Sequence, residues 1–125
     1  MIPRYRAWDK ELQTILDVSL IDFKKGVLVG EHWEFGETNF MSFDEIVIMQ
    51  TTGLLDKNGK EIFEGDILGT KDGLLNGVVE YRSDLGMWTN SLIRYNNFER
   101  LCTVANSREI IGNIYENPEL VEVEE

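Results

Sequence analysis

The stretch whose residues could hold a ligand is "TGLLDKNGKEIFEGDIL", which runs from Thr52 to Leu68 and is rich in carboxylates. Calcium prefers oxygen ligands, and an EF-hand loop places a glycine at its sixth position and a bidentate glutamate at its twelfth. Counted from Asp56, however, Gly59 stands at the fourth position and Ile67 at the twelfth. The spacing therefore argues against an EF-hand, and we expect no metal site here.

The same stretch also departs from a phosphate-binding loop. Such a loop ends in glycine, lysine and then serine or threonine, whereas Lys60 is followed by Glu61, whose charge would repel a phosphate. Asn58-Gly59 is instead a strong signal for a two-residue type I′ turn, in which both central residues take positive φ. We therefore predict a hairpin whose acidic residues are exposed and keep it soluble. These are Asp56, Glu61, Glu64 and Asp66.

Histidine and cysteine are too scarce in this chain for the usual catalytic sets. His32 is the only histidine and Cys102 the only cysteine, while a zinc site draws on three or four protein ligands. His32 could bind a metal weakly together with Glu31 and Glu34, but an ordinary surface histidine is the simpler interpretation. Cys102 lies in an apolar context, which predicts a buried and unreactive thiol. With no G-x-S-x-G motif either, we expect a protein that is not an enzyme and has no cofactor.

The charge of the chain disfavours binding to nucleic acid through its whole surface. The 125 residues include 23 acidic and 12 basic ones, a formal net charge of −11, and a field of that sign repels phosphates. One stretch is locally basic, with four arginines against two acids: Arg82, Arg94, Arg100 and Arg108 against Asp84 and Glu99. Since no apolar run approaches the roughly 20 residues that span a bilayer and the single cysteine excludes an internal disulfide, we expect a cytoplasmic protein without membrane contact.

Hydrophobic patterning predicts a chain built of short strands. Segments 2–8, 13–23 and 27–35 alternate or are rich in β-branched residues, which indicates three strands of a meander. Residues 36–45 have no clear period and are expected to form a loop, in which Ser42 and Glu45 have the spacing of a capping box. The apolar run 46–50 is short enough for a buried strand.

The second half has the same character. Strands are predicted from residue 67, over 77–84, from 87 and over 108–115, whereas 95–105 is ambiguous and holds either a short helix around Asn97–Leu101 or a loop. Turn signals roughly every ten residues, without the helices that parallel βαβ units need, indicate an all-β barrel or sandwich.

Three separated motifs resemble the YopX family, small proteins common in phages and prophages of low-GC Gram-positive bacteria. They are "RAWDKE" near the start, the acidic hairpin followed by "GVVEY", and "EIIGNIYENPEL" near the end. The resemblance covers nearly the whole chain in the family's order. It implies a phage-related, mainly β protein with little helix, in which an N-terminal meander precedes a small SH3-like β-barrel. It implies no activity and no catalytic residues.

The expected organisation has three parts. Residues 1–50 form the meander, residues 51–118 form the SH3-like barrel that shares a core with it, and residues 119–125 form an acidic tail. SH3-like barrels bind peptides in aromatic grooves, but aromatic residues also dominate small β cores. We expect Trp8 and Trp88 in the core and keep Trp33 and Tyr95 as candidates for an exposed surface, since exposed aromatic residues are enriched at interfaces.

Three functions compete at this point. The first is a non-enzymatic interaction module for a host or phage protein, with a surface drawn from Trp33, Tyr95, Arg82, Arg94, Arg100 and Arg108. The second is contact with nucleic acid through the region Arg82–Arg108, with an aromatic ring stacking on a base, and it requires the arginines to share one face. The third is an acidic decoy that imitates DNA, which requires carboxylates in a regular surface array.

Overall fold

The computed structural model describes residues 4–32 and 37–122, and the chain divides into two compact units, Met1–Thr51 and Thr52–Glu125. Both are built of antiparallel strands, so the prediction of a mainly β protein is confirmed. No helix in the described ranges has the length and apolar character needed to cross a membrane.

The first unit is an antiparallel sheet. Its strands are β1 (Tyr5–Asp9), β2 (Thr14–Asp22), β3 (Val27–His32), β4 (Glu37–Ser42) and β5 (Ile46–Leu55), the last of which continues into the second unit. Together with β6 (Glu61–Phe63) they have the order β4-β3-β2-β1-β5-β6. The core of the unit lies on one face and contains Ala7, Leu16, Leu28 and Ile46, all buried.

One segment of this unit differs from its prediction. The loop expected over residues 36–45 contains β4, which pairs with β3 along its whole length. The strand β4 was not predicted because its two large apolar residues, Phe40 and Met41, are adjacent. They point to opposite faces of the sheet, so they do not produce the alternation by which a strand is recognised. The capping box predicted from Ser42 and Glu45 is confirmed, and it begins a 3₁₀ turn at Phe43–Glu45.

The second unit holds a five-stranded antiparallel sheet. Its strands are β7 (Asp66–Gly69), β8 (Gly77–Arg82), β9 (Met87–Leu92), β10 (Phe98–Arg100) and β11 (Glu109–Asn113), in the order β10-β9-β8-β7-β11. In the described residues β10 and β11 end the sheet without pairing with each other, so it does not close into a barrel. The core contains Ile62, Leu68, Val79, Leu101 and Ala105.

Within residues 52–122, helical structure is limited to three short pieces. They are α1 (Leu101–Val104) and the 3₁₀ turns Ala105–Ser107 and Pro118–Val121. The ambiguous segment 95–105 therefore contains both β10 and a helical turn. The turn begins at Leu101, the residue at which the predicted helix was expected to end. Leu101 anchors this turn because it is fully buried in the core of the unit.

Candidate functional site

The acidic hairpin is built by its backbone geometry, but not by the turn that Asn58-Gly59 predicted. Gly59 has φ 79°, whereas Asn58 is not among the described residues with positive φ, so the type I′ prediction is wrong. The Gly59 N–H donates to the Asp56 carbonyl and the Asp56 N–H donates to the Lys60 carbonyl. This is a three-residue connection, a type I turn closed by a glycine in the left-handed region.

Asp56 determines which turn forms. Its side chain is buried, at 4% exposure, so the expectation of an exposed residue is also wrong. Oδ1 accepts hydrogen bonds from the N–H groups of Asn58 at 2.8 Å and Lys60 at 2.9 Å, and Oδ2 accepts one from Ile110 at 3.0 Å. The carboxylate therefore holds the turn in shape and ties it to β11.

The electrostatics of Asp56 follow from these contacts. Burial raises the pKa of its carboxyl, but the backbone donors at Ile110, Lys60 and Asn58 outweigh burial, and the net pKa lies below its ordinary value of 3.8. An ionised carboxylate occupied by three backbone donors has little left to offer a cation. Across the described residues, no group of three or more His, Cys, Asp or Glu side chains is placed to hold a metal ion.

The carboxylates of two further acidic residues are also buried and accept hydrogen bonds inside turns. Asp9 is 3% exposed, and its Oδ1 accepts from the N–H groups of Glu11 and Leu12. Asp66 is 1% exposed, and its Oδ2 accepts from the Phe63 N–H at 2.8 Å. Asp66 was predicted to be exposed and is not. Part of the negative charge is thus internal, which weakens the case for a regular acidic array on the surface.

The four predicted arginines have different environments. Arg108 is buried, at 7% exposure, and its guanidinium forms two hydrogen bonds with the Glu99 carboxylate, at 2.6 and 2.8 Å. The Arg108 side chain lowers the pKa of Glu99, and the second Glu99 contact is the Asn90 amide at 3.0 Å. Arg108 therefore belongs to a buried polar network and adds nothing to a binding face.

Arg82 is held at the surface by a different acid. Its Nε and Nη2 donate to the Asp84 carboxylate at 3.0 and 2.8 Å, which raises the pKa of Arg82 and lowers that of Asp84. Its guanidinium carbon lies 5.0 Å from the centre of the Phe98 ring, within the distance of a cation–π contact. Two contacts thus fix the guanidinium, and its charge is neutralised locally.

Arg82 of β8 lines a cleft of about 320 Å³ together with residues 91–92 of β9, the loop before β10 and Phe98 of β10. The residues that give the cleft its chemistry are one arginine, two aromatic residues and three short polar residues. They are Arg82, Tyr95, Phe98, Ser91, Asn96 and Asn97. The structure therefore brings two of the predicted surface residues, Arg82 and Tyr95, to one site.

The loop at residues 93–97 is shaped by its own backbone. The Leu92 N–H donates to the Asn97 carbonyl, and the Asn97 N–H donates to the Tyr95 carbonyl. The Asn97 Oδ1 accepts from the Phe98 N–H at 2.8 Å, which fixes the direction of this amide. These bonds leave the Tyr95 ring 51% exposed at the cleft.

The remaining candidates have other positions or lie outside the described residues. Arg94 and Arg100 are exposed but are not among its lining residues, and Trp33 lies outside the described residues. Trp8 is buried, at 8% exposure, and Trp88 packs against the core of the second unit, as predicted for both. Cys102 is exposed rather than buried, because α1 directs Leu101 into the core and leaves the next residue at the surface.

Sequence reasoning missed Asn96, Asn97, Ser91 and Phe98 as cleft residues. Their signal was the segment "YNNF", which lacks the pattern of a strand or helix and places polar amides between two aromatic rings. Such a segment is typical of an exposed functional loop on a rigid scaffold.

The last motif, "EIIGNIYENPEL", has a structural explanation. Gly112 lies where β11 shifts register against β7, and a Cβ there would overlap the Asn117 side chain. Asn113 is buried, its Oδ1 accepts from the N–H groups of Tyr115 and Glu116, and its N–H donates to the Asn117 Oδ1. These residues hold the turn after β11 and have no part in the cleft.

Comparisons with known proteins agree with this architecture. The chain matches the model of the family described as YopX protein over residues 4–122. The crystal structure of protein EF1440 from Enterococcus faecalis is 31% identical, with a TM-score of 0.66 over 98% of this chain and 99% of that one. That of protein yopX from Bacillus subtilis is 22% identical, with a TM-score of 0.60 over 95% and 98%, and shares the fold. No curated protein matches the sequence.

Proposed function

The chain belongs to the YopX family, and from this premise we propose that it is a non-enzymatic module that binds another protein through the cleft beside β10. The observation that carries the proposal is the convergence of exposed Tyr95, the fixed Arg82 guanidinium and three short polar side chains on one concave site. Tyrosine and arginine are among the residues that contribute most to protein interfaces.

The composition of the cleft suits a protein surface. Tyrosine supplies a large contact area at low entropic cost, while serine and asparagine supply adaptable hydrogen bonds, which is the combination found in antibody paratopes. The ring of Tyr95 and the amides of Asn96 and Asn97 provide this combination within three consecutive residues. Because Arg82 is already fixed by Asp84 and Phe98, ordering it on binding costs little additional entropy.

The same contacts make a nucleic-acid partner the weaker alternative. A phosphate would compete with Asp84 for Arg82 and with Glu99 for Arg108. Only Arg94 and Arg100, of the four predicted arginines, are exposed without an ion pair in the described structure. Phosphate contacts supply most of the affinity of non-specific nucleic-acid binding, so two arginines on a strongly acidic chain support it poorly.

The wider setting of the function is part of the proposal. We infer a phage or prophage origin from the family resemblance, and action in the cytoplasm of the host cell on a host or phage protein. We also infer that the second unit is an SH3-like variant, because five antiparallel strands have a short helical turn before the last strand, which pairs with the first.

The test is comparative capture from a lysate of the bacterial host, with immobilised wild-type protein and two tyrosine variants. Tyr95→Ala removes the exposed ring from the cleft. Tyr81→Ala is the matched control, because Tyr81 is 48% exposed but adjoins Arg82 on β8 and so points to the opposite face. Circular dichroism first establishes that both variants fold.

We expect a specific protein to be retained by the wild type and by Tyr81→Ala and to be lost from Tyr95→Ala. Retention of the same protein by all three would remove the cleft from the interaction. If the retained material disappeared after nuclease treatment, the partner would be a nucleic acid and the proposal would be wrong.

A further inference from the structure

A second surface lies on the first unit, on the face of its sheet opposite the core. The register places Leu20 of β2 opposite Val29 of β3, and Val29 opposite Phe40 of β4. Side chains opposite one another share a face, so the three form one row, here called the Phe40 row. The adjacent residues Leu28 and Met41 point to the other face, where they belong to the core.

The Phe40 row is exposed. Leu20 is 57% exposed and Phe40 is 84% exposed, the largest value among the large apolar residues of the described chain. Burying a phenylalanine ring stabilises a fold, and Phe40 is left almost entirely outside the core. An apolar row across three neighbouring strands is therefore available to a partner.

Among the strands of residues 4–32 and 37–122, the row ends at an edge of the sheet. β4 is the last strand in the order β4-β3-β2-β1-β5-β6, and its sequence, "ETNFMS", contains neither proline nor lysine. Natural edge strands are commonly protected by such residues, because free backbone N–H and C=O groups can pair with another strand. A strand added to β4 would place one of its side chains next to Phe40 and extend the row.

The acidic residues beside the Phe40 row indicate which side chains an added strand should carry. Glu31 lies on the same face, two residues along β3 from Val29. It is opposite Asp17 of β2 on one side and opposite Thr38 of β4 on the other. Asp17 and Glu31 are both exposed. Arg6 of β1 lies directly opposite Asp17 on its other side, whereas the register places no basic residue opposite Glu31. A lysine or arginine brought next to Thr38 would therefore complement Glu31, since its long side chain spans one intervening strand.

The same charges disfavour the other occupants. A second copy of the chain would bring 23 acids and 12 bases to an acidic edge. The acidic segment "ENPELVEVEE" at the end of the chain contains no base at all, so it would also be repelled.

We propose that β4 receives an extended segment of a partner protein that carries an apolar residue and, two positions away on the same face, a lysine or arginine. This surface is independent of the cleft of the second unit and does not rest on the function proposed for it. The backbone of β4 provides affinity by strand addition, while Phe40 and Glu31 provide the selection for the side chains.

The probe is a short synthetic peptide with lysine, phenylalanine and lysine at alternate positions, so that the three share one face, and with threonine at the positions between them. The matched control peptide carries glutamate in place of both lysines. Binding is followed by amide chemical shifts of the full-length protein. We expect the lysine peptide to shift resonances of residues 38–42 and the glutamate peptide to leave them unchanged. Shifts confined to other strands, or equal binding of both peptides, would overturn the proposal.

Three variants separate the contributions. Phe40→Ser should weaken binding of the lysine peptide about tenfold or more, the scale of a truncated hot spot, and Glu31→Lys should reverse the preference between the peptides. Leu12→Ser is the control, because Leu12 is 60% exposed in the turn between β1 and β2, outside the row. If sedimentation showed a wild-type dimer that Phe40→Ser converts to a monomer, a second copy would be the occupant and the proposal would be wrong.

Discussion

Replacing Asp56 by alanine should destabilise the second unit more than removing an exposed acidic side chain beside the same turn. The substitution leaves three backbone N–H groups without their acceptor. The donors at Asn58 and Lys60 lie in an exposed turn, where water replaces the carboxylate and the loss is about 0.5–1 kcal/mol each. The Ile110 N–H lies in the half-buried strand β11, and an unsatisfied buried donor costs about 1–3 kcal/mol. Together these losses come to about 2–5 kcal/mol.

Urea denaturation followed by tryptophan fluorescence measures this loss, since Trp88 packs against the core of the same unit. Glu109→Ala is the matched control, because Glu109 contacts the same turn, at 3.8 Å from the Lys57 Nζ, from an exposed position. A surface ion pair is worth at most about 1 kcal/mol, so this variant should remain close to the wild type. Equal losses in Asp56→Ala and Glu109→Ala would refute the view that Asp56 clamps the hairpin to β11.

Four further outcomes follow from the same geometry. Gly59→Val should lose roughly 1–3 kcal/mol in urea denaturation because Gly59 has φ 79°, and Gly59→Asn should lose less. Gly77→Ala should lose about 1–3 kcal/mol, since its Cβ would lie 2.6 Å from the Asn90 Cγ, and combining it with Asn90→Ala should be less than additive. The depressed pKa values of Asp56 and Glu99 stabilise the fold above their ordinary values of 3.8 and 4.5, so the unfolding free energy should fall as the pH drops below about 4.5, less steeply in Asp56→Asn. A chelator should leave the thermal midpoint unchanged, and a fall would reveal a structural metal.

Local patterns predicted the strands well where side chains alternate between core and solvent. Residues 77–84 were predicted as a strand because apolar and polar residues alternate, and residues 13–23 because β-branched and large apolar residues are enriched there; the structure has β8 and β2 in these segments. The Ser42 and Glu45 box was found because its hydrogen bonds join groups no more than three residues apart.

Contacts distant in sequence were missed for a physical reason. Asp56 was expected at the surface because acids in a turn usually are, but its third hydrogen bond comes from Ile110, 54 residues away. That bond draws the carboxylate inside and, with the bonds to Asn58 and Lys60, selects a type I turn over the type I′ turn that Asn-Gly favours. No local pattern in the hairpin contains this information.

The candidate cleft was half predictable for a related reason. Tyr95 was singled out by its type, and Arg82 by a local excess of arginine over acid. That excess is real in the sequence, but the fold pairs Arg82 with Asp84 and buries Arg108 on Glu99, so the two acids of the stretch neutralise two of its arginines. The charges of Arg82 and Asp84 therefore cancel at the cleft, although the stretch is basic in the sequence.

The placement of charge also separates the two proposed surfaces. In the second unit, Arg82 is paired with Asp84 beside the exposed Tyr95, so the binding proposed there would depend on shape and hydrogen bonds. In the first unit, Glu31 lies beside an exposed apolar row with no basic residue opposite it in the register, so the binding proposed there would depend on a cation. A net charge of −11 describes neither surface, because Asp9, Asp56 and Asp66 are buried and their carboxylates accept hydrogen bonds from backbone N–H groups. For both proposed surfaces we therefore expect the acids left at the surface, and not the total, to determine the choice of partner.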